Sequence, residues 1–319
     1  YWREQLSGVE GVLELPADRP RPAVRSYRGD IVQWPLSERL SRQLEELAQS
    51  QQATLFMVLL AALQTLLWRY TGKKDVLVGA PVANRQRLEV EGLIGLLVNT
   101  LTFRARIDPN DSFAALLAQV KETCLDGYAH QQLPFEKLVT ELQPERSLSH
   151  SPVFQVMLTL PGTPRTELKL HRLKTQIEII HYAGSKCDLS FTATHARSRE
   201  LQFLVEYNTD LFDEQTIERM MGHLQELLTS VCAAPEQRVR EIPLLTAAER
   251  SQLVAWNDTA VDYGLGCVHE VFEQQAARTP DAIAVCFEAH QLTYRELNER
   301  ANQLAHYLKQ RGVGAEVLV

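Results

Sequence analysis

Any chemistry in this chain has to come from scattered groups. Nine histidines occur and no two are adjacent. None sits in the HExxH pattern that would turn two imidazoles and a carboxylate toward one zinc ion. No serine stands in GxSxG and no lysine in GxxxxGK, so neither a nucleophile elbow nor a nucleotide phosphate cradle is encoded. The five cysteines, Cys124, Cys187, Cys232, Cys267 and Cys286, are odd in number and lack CxxC spacing. They read as free thiols in a reducing, cytoplasmic setting, with no disulfide framework and no metal site. More telling are polar side chains in apolar surroundings. Asn99 follows a Leu-Leu-Val run at a strand end, where its amide could both donate and accept, either toward a substrate or toward a neighbouring loop backbone. Gln155 lies inside an apolar strand pattern, so its amide must find a partner. Asn84 and Arg85 fall in a polar loop, where Arg85 could bridge to another body or be a solvated charge.

Those residues need elements to hold them. Ser37 and Thr54 are placed to cap two helices, the second with a wide apolar face from Leu55 to Leu67 and an end at Thr71-Gly72. Strands are expected over 24–35, 75–81, 98–107, 154–160 and 168–180, with a hairpin over 189–207 that turns at Arg197-Ser198-Arg199. Ser112 and Asp213 should cap long helices, and Pro134 should open a short one in its first turn. Strict strand–helix alternation is missing, which predicts an α+β sheet with helices on one face. Residues 234–266 change character, with Pro235, Pro243 and scattered charge, and read as a linker with one short helix over 247–256. From 267 a second unit begins, read as helix, strand over 282–287, helix over 293–311 and strand over 316–319.

With 319 residues, 45% hydrophobic and 23% charged, the chain is of ordinary globular composition. A net charge of -7 without any basic stretch argues against nucleic acid as a partner. No apolar run is long enough to span a bilayer, so no membrane partner is expected. The strand-like finish at Val317-Leu318-Val319 and the absence of an initiator Met suggest a cut chain.

Specific segments carry a resemblance. Ile94-Gly95-Leu96-Leu97-Val98-Asn99-Thr100 is similar to the IGxFVNT motif of condensation domains, and His130-Gln131-Gln132-Leu133-Pro134-Phe135-Glu136 to their HQDxPFE. Arg146 through Ser151-Pro152-Val153-Phe154-Gln155-Val156-Met157 resembles RDxSxxPLFQVMF. Gly79–Arg85, Lys186-Cys187-Asp188-Leu189 and Glu206–Phe212 match further family segments in the family's order. In the second unit, Val268–Phe272, Arg278–Ala282 and Leu292-Thr293-Tyr294-Arg295-Glu296-Leu297 resemble the opening of an adenylation domain.

The resemblance implies part of a nonribosomal peptide synthetase: the chloramphenicol-acetyltransferase-like C-terminal lobe of a condensation domain over 1–233, a linker over 234–266 and the truncated α/β start of an adenylation domain over 267–319. In that family an amine attacks a thioester to form an amide. Asn99, Thr100, Gln155, Asn84 and Arg85 are then candidates for the substrate tunnel. Gly95, His130, Pro134, Phe135, Glu136, Pro152, Phe154, Asp188, Tyr294 and Glu296 are expected to be structural. The family's His-His-x-x-x-Asp-Gly does not occur here, so the chain should hold no catalytic residue and be inactive alone. Implied partners are upstream and downstream peptidyl carrier proteins bearing 4'-phosphopantetheine, together with an N-terminal condensation lobe and the remainder of the adenylation domain. The fragment would bind no cofactor itself, whereas ATP and Mg2+ belong to a complete adenylation domain. The alternative is a non-catalytic carrier-protein-binding scaffold or remnant; heterocyclisation and epimerisation domains are more distant readings.

Overall fold

A computed structural model describes residues 1–9, 12–142, 147–161, 183–195, 200–261, 267–314 and 317. The chain divides into two compact units, Tyr1–Gln252 and Leu253–Val319. In order, the elements up to the division are α1 (Trp2–Gln5), β1 (Gly29–Pro35), α2 (Glu38–Ser50), α3 (Leu55–Thr71), β2 (Asp75–Val82), α4 (Leu88–Glu91), β3 (Asn99–Arg106), α5 (Phe113–Ala129), α6 (Phe135–Leu142), β4 (Val156–Thr159), β5 (Leu189–His195), β6 (Leu201–Asn208), α7 (Glu214–Ala233) and α8 (Ala247–Trp256), the last crossing it.

The expected α+β class is what the first unit shows. Its six-stranded sheet has the order β1-β6-β5-β4-β2-β3. β1, β6 and β5 are antiparallel neighbours, as are β2 and β3, while β4 runs parallel to both β5 and β2. The β4–β2 joint is registered at one pair, Gly79 opposite Met157. Ser37 Oγ accepts the Leu40 N–H at 3.2 Å and Thr54 Oγ1 accepts that of Met57 at 3.3 Å, which starts α2 and α3 where their side chains dictate. Gly72, at φ 69°, ends α3 in the left-handed conformation that glycine adopts without strain. Every residue from Met57 to Leu67 is buried, so α3 is a core helix, packed against α2, α5, α7 and β2. A fully buried Leu in such a helix contributes roughly 2 kcal/mol.

The structure differs from the sequence expectation in several places. β1 starts at Gly29, because Tyr27 turns the chain at φ 59°. The loop after Asn84 contains the single-turn α4. Residues 234–252, expected as linker, fold onto the lobe: Val239 and Ile242 are buried, and Arg238 bridges Ser112. Asp213 sits at the N-cap of α7 but makes no side-chain cap. Asp18 of the N-terminal segment instead anchors the start of the helix, accepting Asp213 N and Thr216 Oγ1 at 2.8 Å each. The expected strand over 168–180, the turn at 197–199 and Arg146 lie outside the described residues, as does all but Val317 of the strand at 316–319.

The second unit contains α9 (Val268–Arg278), β7 (Ile283–Phe287), β8 (His290–Thr293) and α10 (Tyr294–Gln310). β7 and β8 form an antiparallel hairpin that turns at Glu288, φ 51°, so a second short strand stands between the expected strand and the expected helix. β8 is only four residues long and polar at three of them, too short to register as a period. Among the described residues no single helix is long and apolar enough to cross a membrane.

Candidate functional site

The motif segments of the first unit are fastened to one another by side-chain-to-backbone bonds. Asn99 is buried at the head of β3. Its Nδ2 donates to the Gln131 and Leu133 carbonyls, each at 2.8 Å, and its Oδ1 accepts the Phe135 N–H at 3.0 Å. Of the two roles open to it in the sequence, this geometry is that of the loop fastener. Thr100, next on the strand, is half-buried and pairs with Pro81 on β2. Phe135 packs on Phe154 with ring centroids 5.5 Å apart. The Phe154 ring in turn fills the notch left by Gly79, where a Cβ would lie 2.3 Å from it. Pro134 precedes α6, its carbonyl accepting Lys137 N and Leu138 N at 3.1 Å, and Glu136 is exposed in the first turn. Pro152 is half-buried ahead of β4.

Gln155 is 2% exposed and finds the partners its sequence position required. Its Oε1 accepts Leu13 N at 2.8 Å and its Nε2 donates to Ser151 O at 3.1 Å. Asp188 is 1% exposed at its side chain and receives both ends of the Arg21 guanidinium, at 3.0 and 2.5 Å. His130 ends α5: its ring stacks on Tyr1 at 4.4 Å and its carbonyl accepts Trp2 Nε1 at 3.0 Å. Sequence reasoning passed over Arg21, and also Arg104, which donates from β3 to Asp75 and to the Gln5 and Ser7 carbonyls. The signal for Arg104 was a charge on a strand flanked by Phe103 and Ala105.

Arg85 makes a different arrangement. Its guanidinium gathers four carbonyls of the following loop, Val90, Glu91, Leu93 and Gly95, the last two at 2.8 and 3.3 Å. Asn84 before it turns the chain at φ 53°. The loop carries its apolar side chains outward: Leu88 is 82% exposed, Ile94 105% and Leu96 90%, with Leu93 and Val98 also exposed. Gly95 has open space at its Cβ position and no positive φ. A backbone held inward by a cation while its apolar residues point out is a surface shaped to be covered.

A second constellation joins three helices. Tyr70 Oη lies 2.7 Å from His223 Nδ1, and His223 Nε2 lies 2.9 Å from Glu249 Oε1. Burial raises the Glu249 carboxyl, but hydrogen bonds from the Thr246 hydroxyl and amide and from His223 outweigh it, leaving the group below its ordinary value. Burial pushes the Tyr70 hydroxyl up to about 12. Burial likewise raises the thiols of Cys124 to about 12 and of Cys187 and Cys232 to about 11, which keeps them unreactive.

In the second unit Thr293 and Glu296 form a reciprocal cap at the start of α10, with bonds of 2.8 and 3.2 Å. The Thr293 N–H and hydroxyl, which donate to the Glu296 carboxylate at 2.8 and 3.1 Å, hold it below its ordinary value. Tyr294 packs on Phe272 at 6.0 Å. Cys267, His269 and Glu270 bring ligand atoms within 4.8 Å of one another. All three are exposed, Glu270 already accepts Cys267 N, and the positive end of α9 opposes a cation there.

Known proteins resemble the chain along its whole length. Residues 1–254 match the condensation domain family and residues 272–319 match AMP-binding enzymes. A linear gramicidin synthase of Brevibacillus parabrevis is 45% identical over the whole chain, which spans 6% of that protein. Chondramide synthase of Chondromyces crocatus is 46% identical, with 8% of its length spanned. A four-domain nonribosomal peptide synthetase crystallised with AMP and glycine superposes over 98% of this chain and 25% of its own, with TM-score 0.81 and 26% identity. The X-domain from teicoplanin biosynthesis covers 76% of this chain and 56% of its own, with TM-score 0.70 and 29% identity. The chain therefore belongs to the condensation domain family of nonribosomal peptide synthetases and runs on into the start of an AMP-binding enzyme.

Proposed function

We propose that residues 1–252 form the carboxyl-terminal wall of a condensation site in an elongation module, where an aminoacyl group on one carrier protein attacks a peptidyl thioester on another. The observation that carries this is the Arg85-held loop. Its apolar residues, Leu88, Ile94 and Leu96, are offered to a partner surface while its backbone is fixed. The partner that fits is an amino-terminal lobe of the same polypeptide carrying His-His-x-x-x-Asp-Gly, whose second histidine would act on the attacking amine. In this reading the present lobe contributes positioning of two tethered substrates, which is worth several kcal/mol of barrier. The carrier arms are phosphopantetheine, and ATP with Mg2+ serves the completed adenylation domain downstream. Asn99 and Gln155 support the wall from behind, and Asn84, Arg85 and Thr100 stand at its edge.

The experiment compares amide formation from aminoacyl- and peptidyl-loaded carrier proteins by the 319-residue chain and by a chain extended upstream to include a histidine-motif lobe. Turnover is expected from the extended protein alone, and Ile94→Asp in it should abolish that turnover. Amide formation by the 319-residue chain itself would sink the proposal. Carrier binding by both chains with turnover by neither would favour a carrier-binding scaffold instead.

A further inference from the structure

Arg69, Tyr70, His223, Arg240, Ile242 and Leu244 line a cavity of about 500 Å³, with Glu241 and Arg250 also in its wall. Two features of its wall bear on what it could hold. Arg69 is partly buried, and burial lowers its affinity for a proton with no carboxylate acting against that effect. Its Nη1 donates to the Ile242 carbonyl at 2.7 Å and to the Arg240 carbonyl at 3.3 Å, so among the described residues this cation meets dipoles and no counter-charge. The second feature is the Tyr70–His223–Glu249 chain. Glu249 accepts, so His223 Nε2 carries a hydrogen; with neutral imidazole, Nδ1 is then an acceptor and consumes the Tyr70 hydroxyl hydrogen. When His223 gains a proton, Nδ1–H donates to the Tyr70 oxygen, and the Tyr70 hydrogen is released to serve another acceptor.

We propose that this cavity is a proton-linked binding site for a small carboxylate on an apolar body. The charged end would meet the Arg69 guanidinium and the freed Tyr70 hydroxyl, and the body would lie on Ile242, Pro243 and Leu244. A carboxylate suits the site better than a dianion: Arg240 is paired with Glu241 and Arg250 with Glu226, so among the described residues Arg69 alone of the three lining guanidinium groups forms no ion pair. A guanidinium also matches a carboxylate in a two-point fork. The groups that face His223 are Tyr70 on α3 and Glu249 on α8. Arg219 and Glu226 share its helix, and Glu226 lies 3.5 Å from Arg250. Binding of the anion therefore favours the protonated imidazole, and protonation favours the anion.

The test is titration of the 319-residue chain with phenylacetate, observed at the His223 ring by NMR, with benzyl alcohol as the uncharged control. Saturable shifts are expected for phenylacetate, with at least about tenfold weaker binding of the alcohol. Affinity should rise several-fold as pH is lowered from about 8 to about 6 while phenylacetate stays ionised. Arg69→Gln should cost about tenfold in affinity. If that variant does not fold, Tyr70→Phe decides: it should abolish the pH dependence. No saturable shift at His223, equal binding of the alcohol, a flat pH profile in the wild-type chain, or unchanged phenylacetate binding by Arg69→Gln would each overturn the proposal.

Discussion

Asn99 shows how one amide can do the work of a short stretch of secondary structure. Its two donors and one acceptor tie down the loop from Gln131 to Pro134, which has no sheet or helix of its own, and the first residue of α6. Asn99→Ala removes all three bonds and leaves buried backbone groups unmatched, at about 2–4 kcal/mol. Asn99→Asp should be at least as costly: one carboxylate oxygen can still accept Phe135 N, but the other would face the Gln131 and Leu133 carbonyls. Urea unfolding of the three proteins checks the order, wild type above Ala, and Ala at or above Asp. The sequence showed that Asn99 and Gln155 needed partners, because an amide in an apolar strand must be satisfied. It could not say which partners, since Gln131, Leu133 and Leu13 offer only backbone atoms, and backbone atoms leave no mark in residue identity.

At the level of elements, helices were legible wherever a capping side chain preceded an apolar period, as at Ser37, Thr54, Ser112 and Thr293. Elements whose support comes from far away in the chain were not. The side-chain anchor at the start of α7 comes from Asp18, some two hundred residues upstream in sequence, and no local pattern announces it. The Arg85 loop is of the same kind, since its order comes from a guanidinium and four carbonyls. Arg85→Ala should leave the global unfolding midpoint nearly unchanged and increase hydrogen exchange across residues 88–97; protection equal to wild type would refute that role. The docking of residues 243–250 depends on Glu249. Its folded carboxyl lies below the ordinary value of 4.5, so its stabilising contribution is complete above that value and is lost as pH falls through the lower folded one. Glu249→Gln should therefore lower stability at neutral pH and leave little difference from wild type in strong acid, as paired thermal melts across pH would show.

For the whole molecule the decisive joint is between β2 and β4. The two strands meet at one registered pair, and the Phe154 ring covers that point because Gly79 has no side chain. Gly79→Ala forces the ring aside and should cost about 1–3 kcal/mol by overpacking. Adding Phe154→Leu should return part of that loss, a non-additivity measurable by a double-mutant cycle. The joint also has a mechanical meaning. β2 and β3 share eight paired positions, and β5 and β6 share seven, so each block is laced along its length while the boundary between them is not. A load drawn across the sheet would be resisted by many backbone bonds acting together inside either block, but at the boundary by few. The sheet thus has a line along which it would tear first, and a single aromatic ring is the rivet on that line.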